Sequence, residues 1–348
     1  MDGWRKYLTP RERDERYYEL LSGGAKIRLF ESFVDFGLAI LLAQGPMSTE
    51  AISYKLALHP HRARKWLRLL SLVGLVRKID NVGKLDHSGE VYVLTPLAQA
   101  LFGENGKGGD YYRDELRLFR ACAELDFNAV LMGLPLPQAV HWPPQTLEAA
   151  SHLEWWMAVT AGGVVQAIEK AIDLSKVKNI LDAAGGDGTM ACEFVRAHPN
   201  LSITISNLPN SAYLARMKIA QQGLTDRITI VEHDFLSDQP LPGGFELILW
   251  SRIFSSWPSE VVSKLLKKTY DALSPGGQVM ICEPMLDTNK ELVTAWEFRY
   301  LFYDDFGVAV YKTRAEYEHL CTEAGFIISG FNDADDESFY STLIAARP

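Results

Sequence analysis

Residues 177–188 read VKNILDAAGGDG: a short apolar run, an acid, then three glycines set just ahead of a helical stretch, MACEFVRAH (190–198). Glycines at such a turn let the backbone come close to a ligand, and the free N–H groups of the following helix attract negative charge. The spacing is not GxGxxG and no lysine follows, so the loop does not read as a triphosphate cradle. Four more runs of strand length lie downstream: LSITISNL (201–208), RITIVEHDF (227–235), FELILWSRI (245–253) and GQVMICEP (277–284). Each has the length expected of a buried parallel strand. Helical stretches separate them: SAYLARMKIAQQG (211–223) and SEVVSKLLKKTYDAL (259–273). Strand and helix in alternation predict an α/β fold, a Rossmann-like doubly wound open sheet. A further helix, RAEYEHLCTEAG, precedes FIISGFND and SFYSTLIAARP, two strands whose short acidic link predicts antiparallel pairing.

Upstream, the order is different. Residues 17–44 carry apolar side chains at helical spacing up to Gly45-Pro46, and TEAISYKLAL (49–58) follows as a second helix. HRARKWLRLLSLVGL (61–75) forms a third, with Trp66, Leu69, Leu70 and Val73 on one face. VRKID, a turn at Asn81-Val82-Gly83 and VYVLT then make a hairpin, which completes the order of a winged helix-turn-helix. Such a unit either reads DNA through its third helix, here basic at His61, Arg62, Arg64, Lys65 and Arg68, or pairs two subunits. The long apolar segment favours pairing. The Gly-rich stretch GENGKGGD (103–110) is the expected boundary, giving a winged-helix-like dimerisation domain over 1–105 and the α/β domain over 106–348. Within the latter, 111–131 and 146–172 read as helical, and the prolines of LPLPQAVHWPPQ (134–145) exclude a helix between them.

The 348 residues carry 35 basic and 44 acidic side chains, a net charge of −9, against the basic surface that a nucleic-acid binder needs. Cys122, Cys192, Cys282 and Cys321 form no CxxC pair, and the eight histidines form no HExxH or other ligand cluster, so no metal is expected. No apolar run reaches the roughly 18 residues of a membrane span, so no integral membrane contact is expected. The charged start, MDGWRKYLTPRERDER, has no apolar signal region, so a cytoplasmic protein with reduced thiols is expected.

The strand ends carry the candidate chemistry. After Asp182, Gly185, Gly186 and Gly188 come Asn207 and Leu208 at the end of the second strand, where a polar side chain grips ribose hydroxyls in nucleoside-binding sheets. Asp234 and Phe235 end the third: an acid to accept from an adenine amino group, an aromatic to cover the ring, or else a loop cap and a core residue. Ser251 and Arg252 end the fourth. In combination, DAAGGDG, SNLP, EHDF, LILWSRIFSSWPSE and LSPGGQVMICEP resemble the class I S-adenosylmethionine-dependent methyltransferases. More narrowly, the chain from about Tyr17 to Pro348 resembles the dimeric small-molecule O-methyltransferases. These include plant phenylpropanoid enzymes, bacterial antibiotic-tailoring enzymes and hydroxyneurosporene methyltransferase. The resemblance implies S-adenosyl-L-methionine as cofactor, with Asp182 and the Gly185–Gly188 loop on its methionine part, Asn207 at the ribose, and Asp234 and Phe235 at the adenine. It also implies a homodimer whose N-terminal domains exchange helices and close the back of the pocket.

The departures concern the base. The family usually reads LHDWSDE after the fourth strand, with the histidine as general base. Here Trp257 and Glu260 fix the register of FSSWPSE, so Ser255 stands for the histidine and Ser256 for the aspartate. Near the GxERT motif, Tyr311 in VYKT stands where a carboxylate orients that histidine. A similar double absence marks the bacteriochlorophyllide ring-carbon methyltransferases, whose SRIFSS-like run this one resembles. A lone serine is a poor base, and the sequence offers it no obvious proton acceptor. Tyr311, Asp304, Asp305 and His141 stay open as candidates. Methylation of a ring carbon needs less help, because the proton leaves after the methyl arrives. The aromatics of WEFRYLFYDDFGVAVY (296–311), with Trp155 and Trp156, are either core or a broad apolar pocket. The expected function is O- or C-methylation of a bulky apolar or aromatic small molecule. The rivals are non-methylating chemistry on the same scaffold, with the cofactor as a fixed cation, and DNA binding.

Overall fold

The computed structural model describes residues 8–79, 90–103, 109–133, 144–302 and 308–348. The chain divides at Arg120/Ala121 into two compact units.

In the first unit, α1 (Pro10–Asp35) begins well before the apolar periodicity does. Thr9 Oγ1 accepts from the Glu12 N–H, Glu12 Oε2 accepts from the Thr9 N–H at 2.7 Å, and Pro10 takes the first helical position. This reciprocal cap holds a turn that has no apolar face of its own. The one helix expected over 17–44 is two, because Gly37 takes a left-handed φ of 64° and α2 (Leu38–Ala43) restarts beyond it. Then follow β1 (Met47–Ser48), α3 (Thr49–Lys55), α4 (Pro60–Leu72), β2 (Val76–Ile79), β3 (Val91–Leu94) and α5 (Pro96–Phe102). The strands pair antiparallel in the order β1-β3-β2, so the helix-turn-helix carries its hairpin as expected. The turn expected at 81–83 lies outside the described residues. On α4 the inward face is Ala63, Leu67 and Leu70, whereas Leu69 is 46% exposed; the expected face was rotated by part of a turn. Helix α6 (Gly109–Ala123) stays with this unit as far as Arg120, whose guanidinium pairs with Glu31 at 3.3 Å and Asp35 at 3.0 Å on α1. The unit's boundary therefore falls beyond the Gly-rich loop.

The second unit starts with α7 (Phe127–Leu131), α8 (Leu147–Val159) and α9 (Ala161–Ala171), the last two separated at Thr160. There follow β4 (Asn179–Ala183), α10 (Thr189–Ala197), β5 (Ser202–Asn207), α11 (Pro209–Gln221), β6 (Ile228–Glu232), β7 (Phe245–Ser251), α12 (Ser259–Ala272) and β8 (Leu273–Glu283). Helices α13 (Lys290–Tyr300) and α14 (Arg314–Glu323) lead to β9 (Ile327–Asn332) and β10 (Ser341–Ala346). Among the described residues the strands form one seven-stranded sheet, β6-β5-β4-β7-β8-β10-β9. Strands β4 to β8 run parallel, and β10 lies antiparallel between β8 and β9. One apolar layer, with Ile168, Phe194 and Ile205, covers one face; another, with Trp250, Leu266 and Tyr317, covers the other. Trp250 is fully buried, donates to Thr269 Oγ1 at 2.9 Å and stacks on Phe254. The order reverses between β4 and β7, so their carboxyl ends flank the crevice where open α/β sheets bind ligands.

Gly37 has open space where a Cβ would stand, so its conformation alone opposes a side chain. Gly37→Ala should lower stability by about 1 kcal/mol in urea titrations. An unchanged midpoint would contradict this account of the helix break.

Candidate functional site

The two strand ends at the crevice share a strained backbone. Ala184 has φ 62° and Arg252 φ 57°, left-handed values that non-glycine residues rarely take, and they follow β4 and β7 directly. Gly186 (φ 59°) and Gly188 (φ 82°) complete the first turn. A Cβ on Gly185 would lie 2.5 Å from the Asp182 carboxyl, and one on Gly186 would lie 2.6 Å from Glu154 Oε2. One on Gly188 would meet Ile205 and Ile219. Three glycines are thus needed here for three separate contacts. Asp187 ties the loop to the start of α10: its Oδ1 accepts from the Thr189 N–H at 3.0 Å and hydroxyl at 2.6 Å, and its Oδ2 pairs with Lys218 at 2.7 Å.

Asp182 is only 1% exposed, and its Oδ2 has no hydrogen-bond partner. Burial pushes its carboxyl up to about 7, with Arg252 opposing and Glu154 adding to the rise. Glu154, on α8, is likewise pushed up to about 7 by burial, although the Ser211 hydroxyl and the Asp187 N–H donate to it. Arg252 is anchored on the α8–α9 junction, donating to Met157 O at 2.9 Å and Thr160 Oγ1 at 2.7 Å. Ser251 Oγ is buried and also unpartnered. Groups of this kind persist in folds where a ligand satisfies them.

Asn207 stands at the end of β5. Its side-chain oxygen accepts from the Leu208 N–H at 2.8 Å, and its amide donates to Gly186 O at 3.2 Å, tying the second strand end to the glycine loop. Asp234 is exposed, with Oδ1 accepting from the Leu236 N–H at 2.9 Å. Phe235 is only 6% exposed and sits edge-on to Trp250 and Trp257, so most of its ring is core. His141, Asp304 and Asp305 lie outside the described residues.

Ser255 is not a lone serine, and that expectation is corrected. Its Oγ donates to Glu283 Oε2 at 2.7 Å, while Glu283 Oε1 accepts from the N–H groups of Ile253 and Phe254, each at 2.7 Å. Glu283, the last residue of β8, is fully buried. Burial pushes it up to about 7 against these three donors and the nearby Lys312. Lys312 grips the same loop from its carbonyl side, donating to Phe254 O at 3.1 Å, Trp257 O at 2.6 Å and Val310 O at 2.7 Å. Burial pulls its ammonium down to about 8. Tyr311 is corrected as a candidate base: burial, with Tyr300 beside it, drives its hydroxyl far above the usual tyrosine range, so it stays neutral.

Residues 253–257 thus hang between a buried acid and a buried cation, and the aromatics of α13 lie next to them. Ser256 Oγ is 2.9 Å from the Tyr300 hydroxyl, and Tyr300 meets Tyr311. Arg299 lies over the rings of Trp156 and Trp296, and Phe127 packs with Phe298 and Phe302. Glu154, Glu283 and Lys312 escaped the sequence reading. Glu283 closes the apolar run of β8, and its position at a carboxyl end was the available signal. Nothing in LEWWM marks Glu154 as more than a helix residue.

Residues 152–327 match the model of the O-methyltransferase domain family, and the chain belongs to that family; it is a methyltransferase. It is 41% identical over 120 residues to 3-hydroxy-5-methyl-1-naphthoate 3-O-methyltransferase of Streptomyces sahachiroi, a match spanning 34% of each chain. It is 26% identical over 287 residues to demethylspheroidene O-methyltransferase of Cereibacter sphaeroides, covering 79% of this chain and 72% of that one. In fold it is similar to the S-adenosylmethionine-dependent methyltransferase SibL in its apo form, with a TM-score of 0.74 and 24% identity over 94% of this chain and 98% of that one.

An acid whose pKa is raised on folding favours the folded state at low pH, and that contribution fades as pH rises from its unfolded value, near 4.5, through about 7. Glu283→Gln removes the effect. Its stability relative to the parent protein should therefore improve as pH rises from about 5 to 7, measured by thermal melts at each pH. A difference that does not vary with pH would contradict the burial argument.

Proposed function

We propose that the chain transfers a methyl group from S-adenosylmethionine to an oxygen or ring carbon of a bulky, largely apolar aromatic small molecule. The observation that carries this reading is the crevice between β4 and β7, where an unpartnered buried acid, a left-handed glycine loop and Asn207 converge. The cofactor is an activated sulfonium methyl donor, so the protein's main task is to hold the acceptor in line with it. Asp182 and the loop from Gly185 to Gly188 would hold the methionine part, Asn207 the ribose, and Asp234 the adenine amino group. Phe235 would offer the adenine only an edge. Trp156, Trp296, Phe298 and Tyr300 suit the flat apolar face of an acceptor.

For an oxygen acceptor, Ser255 and Glu283 supply what the absent histidine does not: a hydroxyl already bonded to a carboxyl poised near neutral pH. Glu283 rather than Ser255 is then the proton's destination. We read the molecule as a cytoplasmic homodimer paired through its first unit. On that unit Tyr17, Tyr18, Leu20 and Leu21 of α1 and Leu69 and Leu72 of α4 are exposed, more apolar surface than a lone winged unit usually leaves in water.

The protein should bind S-adenosylmethionine and S-adenosylhomocysteine in calorimetry and release the latter when a phenolic aromatic acceptor is turned over. Asp234→Ala should weaken both ligands by about 1.5–3 kcal/mol, the range for a hydrogen bond to a charged group. Unchanged affinity would refute the adenine assignment, and no binding by the parent protein would refute the cofactor.

A further inference from the structure

Beyond Asp182, a second acid reaches the glycine loop from outside the strand–loop–helix motif. Glu154 comes from α8, is 6% exposed, and brings Oε2 to within 2.6 Å of where a Cβ on Gly186 would be. Asp182 presses on the adjacent Gly185 from the strand side, with its Oδ2 buried and unpartnered. Two carboxyls therefore converge on neighbouring glycines, with one cation, Arg252, close to both. That cation is already engaged by Met157 O and Thr160 Oγ1. The other charged groups facing the pair are Asp187, from the loop itself, and Lys218 of α11, which is spent on Asp187. The cluster thus has an excess of acid and an orphaned acceptor, and what would complete it is a small cation with several N–H donors.

We propose that Glu154, acting with Asp182, binds the α-ammonium of the cofactor's methionine tail and so selects ligands that carry it. The proposal rests on the cofactor reading above. Two consequences separate it from a purely structural role for Glu154. A ligand with the adenosine thioether but no amino-acid tail should not feel the loss of Glu154. An ammonium seated between two carboxyls that burial holds partly protonated near pH 7 should drive a proton out of the pair. By that sign, affinity for the tailed ligand rises as pH goes from about 6 to about 8, because fewer protons then have to leave.

The test is isothermal titration calorimetry of the full chain with S-adenosylhomocysteine and with 5′-methylthioadenosine, at pH 7 in two buffers of different ionisation enthalpy. The parent protein should release protons on binding S-adenosylhomocysteine and few or none on binding 5′-methylthioadenosine. Glu154→Gln keeps an acceptor for Ser211 and the Asp187 N–H. It should weaken S-adenosylhomocysteine about tenfold or more, change 5′-methylthioadenosine less than about threefold, and reduce the proton release. Equal weakening of both ligands, or none, overturns the proposal. So does binding of S-adenosylhomocysteine by the parent without proton release, a result that needs no folded variant. If the parent binds neither ligand, the cofactor reading itself falls.

Discussion

Asp182 sits where β4 meets the reversal of strand order, almost wholly out of water, with one carboxyl oxygen that nothing in the protein satisfies. Leaving a buried acceptor unmade opposes folding by roughly 1–3 kcal/mol, and more if the group is charged. The surroundings are arranged around that acid. Gly185 lacks a side chain because the carboxyl occupies the space. Ala184 accepts a left-handed backbone to start the turn, and Arg252, itself left-handed, stands close enough to favour the carboxylate. Strain and unsatisfied polarity gathered in one place are the marks of a ligand-binding site.

The loop at 253–257, proposed to face the acceptor, follows a different rule. There the polar groups are satisfied: Glu283 takes three donors, and Lys312 gives to three carbonyls. A buried acid and a buried cation hold opposite polarities of one short loop without touching each other. This holds the loop by its backbone N–H groups and carbonyls, while the hydroxyls of Ser255 and Ser256 bond to Glu283 and to Tyr300 of α13. A fixed loop beside an aromatic wall suits a reaction in which positioning supplies much of the rate.

Most of the sheet was legible because its central strands β4, β7 and β8 are largely buried and read as apolar runs that end at a polar residue, and the flanking strands have strand length between turn signals. The glycine loop was legible because its glycines cannot be exchanged without clashes. What escaped was either a local backbone feature with no apolar periodicity to mark it or packing between distant segments. Gly37 splits a helix whose apolar period continues through it, and Thr9 and Glu12 cap a turn with no apolar signal. Glu154 and Glu283 acquire meaning only when α8 and β8 fold against the loops they serve, a coupling over 32 and 28 residues to Gly186 and Ser255 respectively. That Ser255 stands where the resemblance expects a histidine was plain in the sequence; its partner, Glu283, was not.

The claim that Asp182 is kept for a ligand rather than for the fold is tested most directly by Asp182→Asn, measured two ways on one preparation. At pH 8, where the acid is ionised and the amide is not, the ligand-free variant should melt at the same temperature as the parent or higher. Its affinity for S-adenosylhomocysteine should fall at least about tenfold. A variant that melts well below the parent yet binds S-adenosylhomocysteine as tightly would contradict the account.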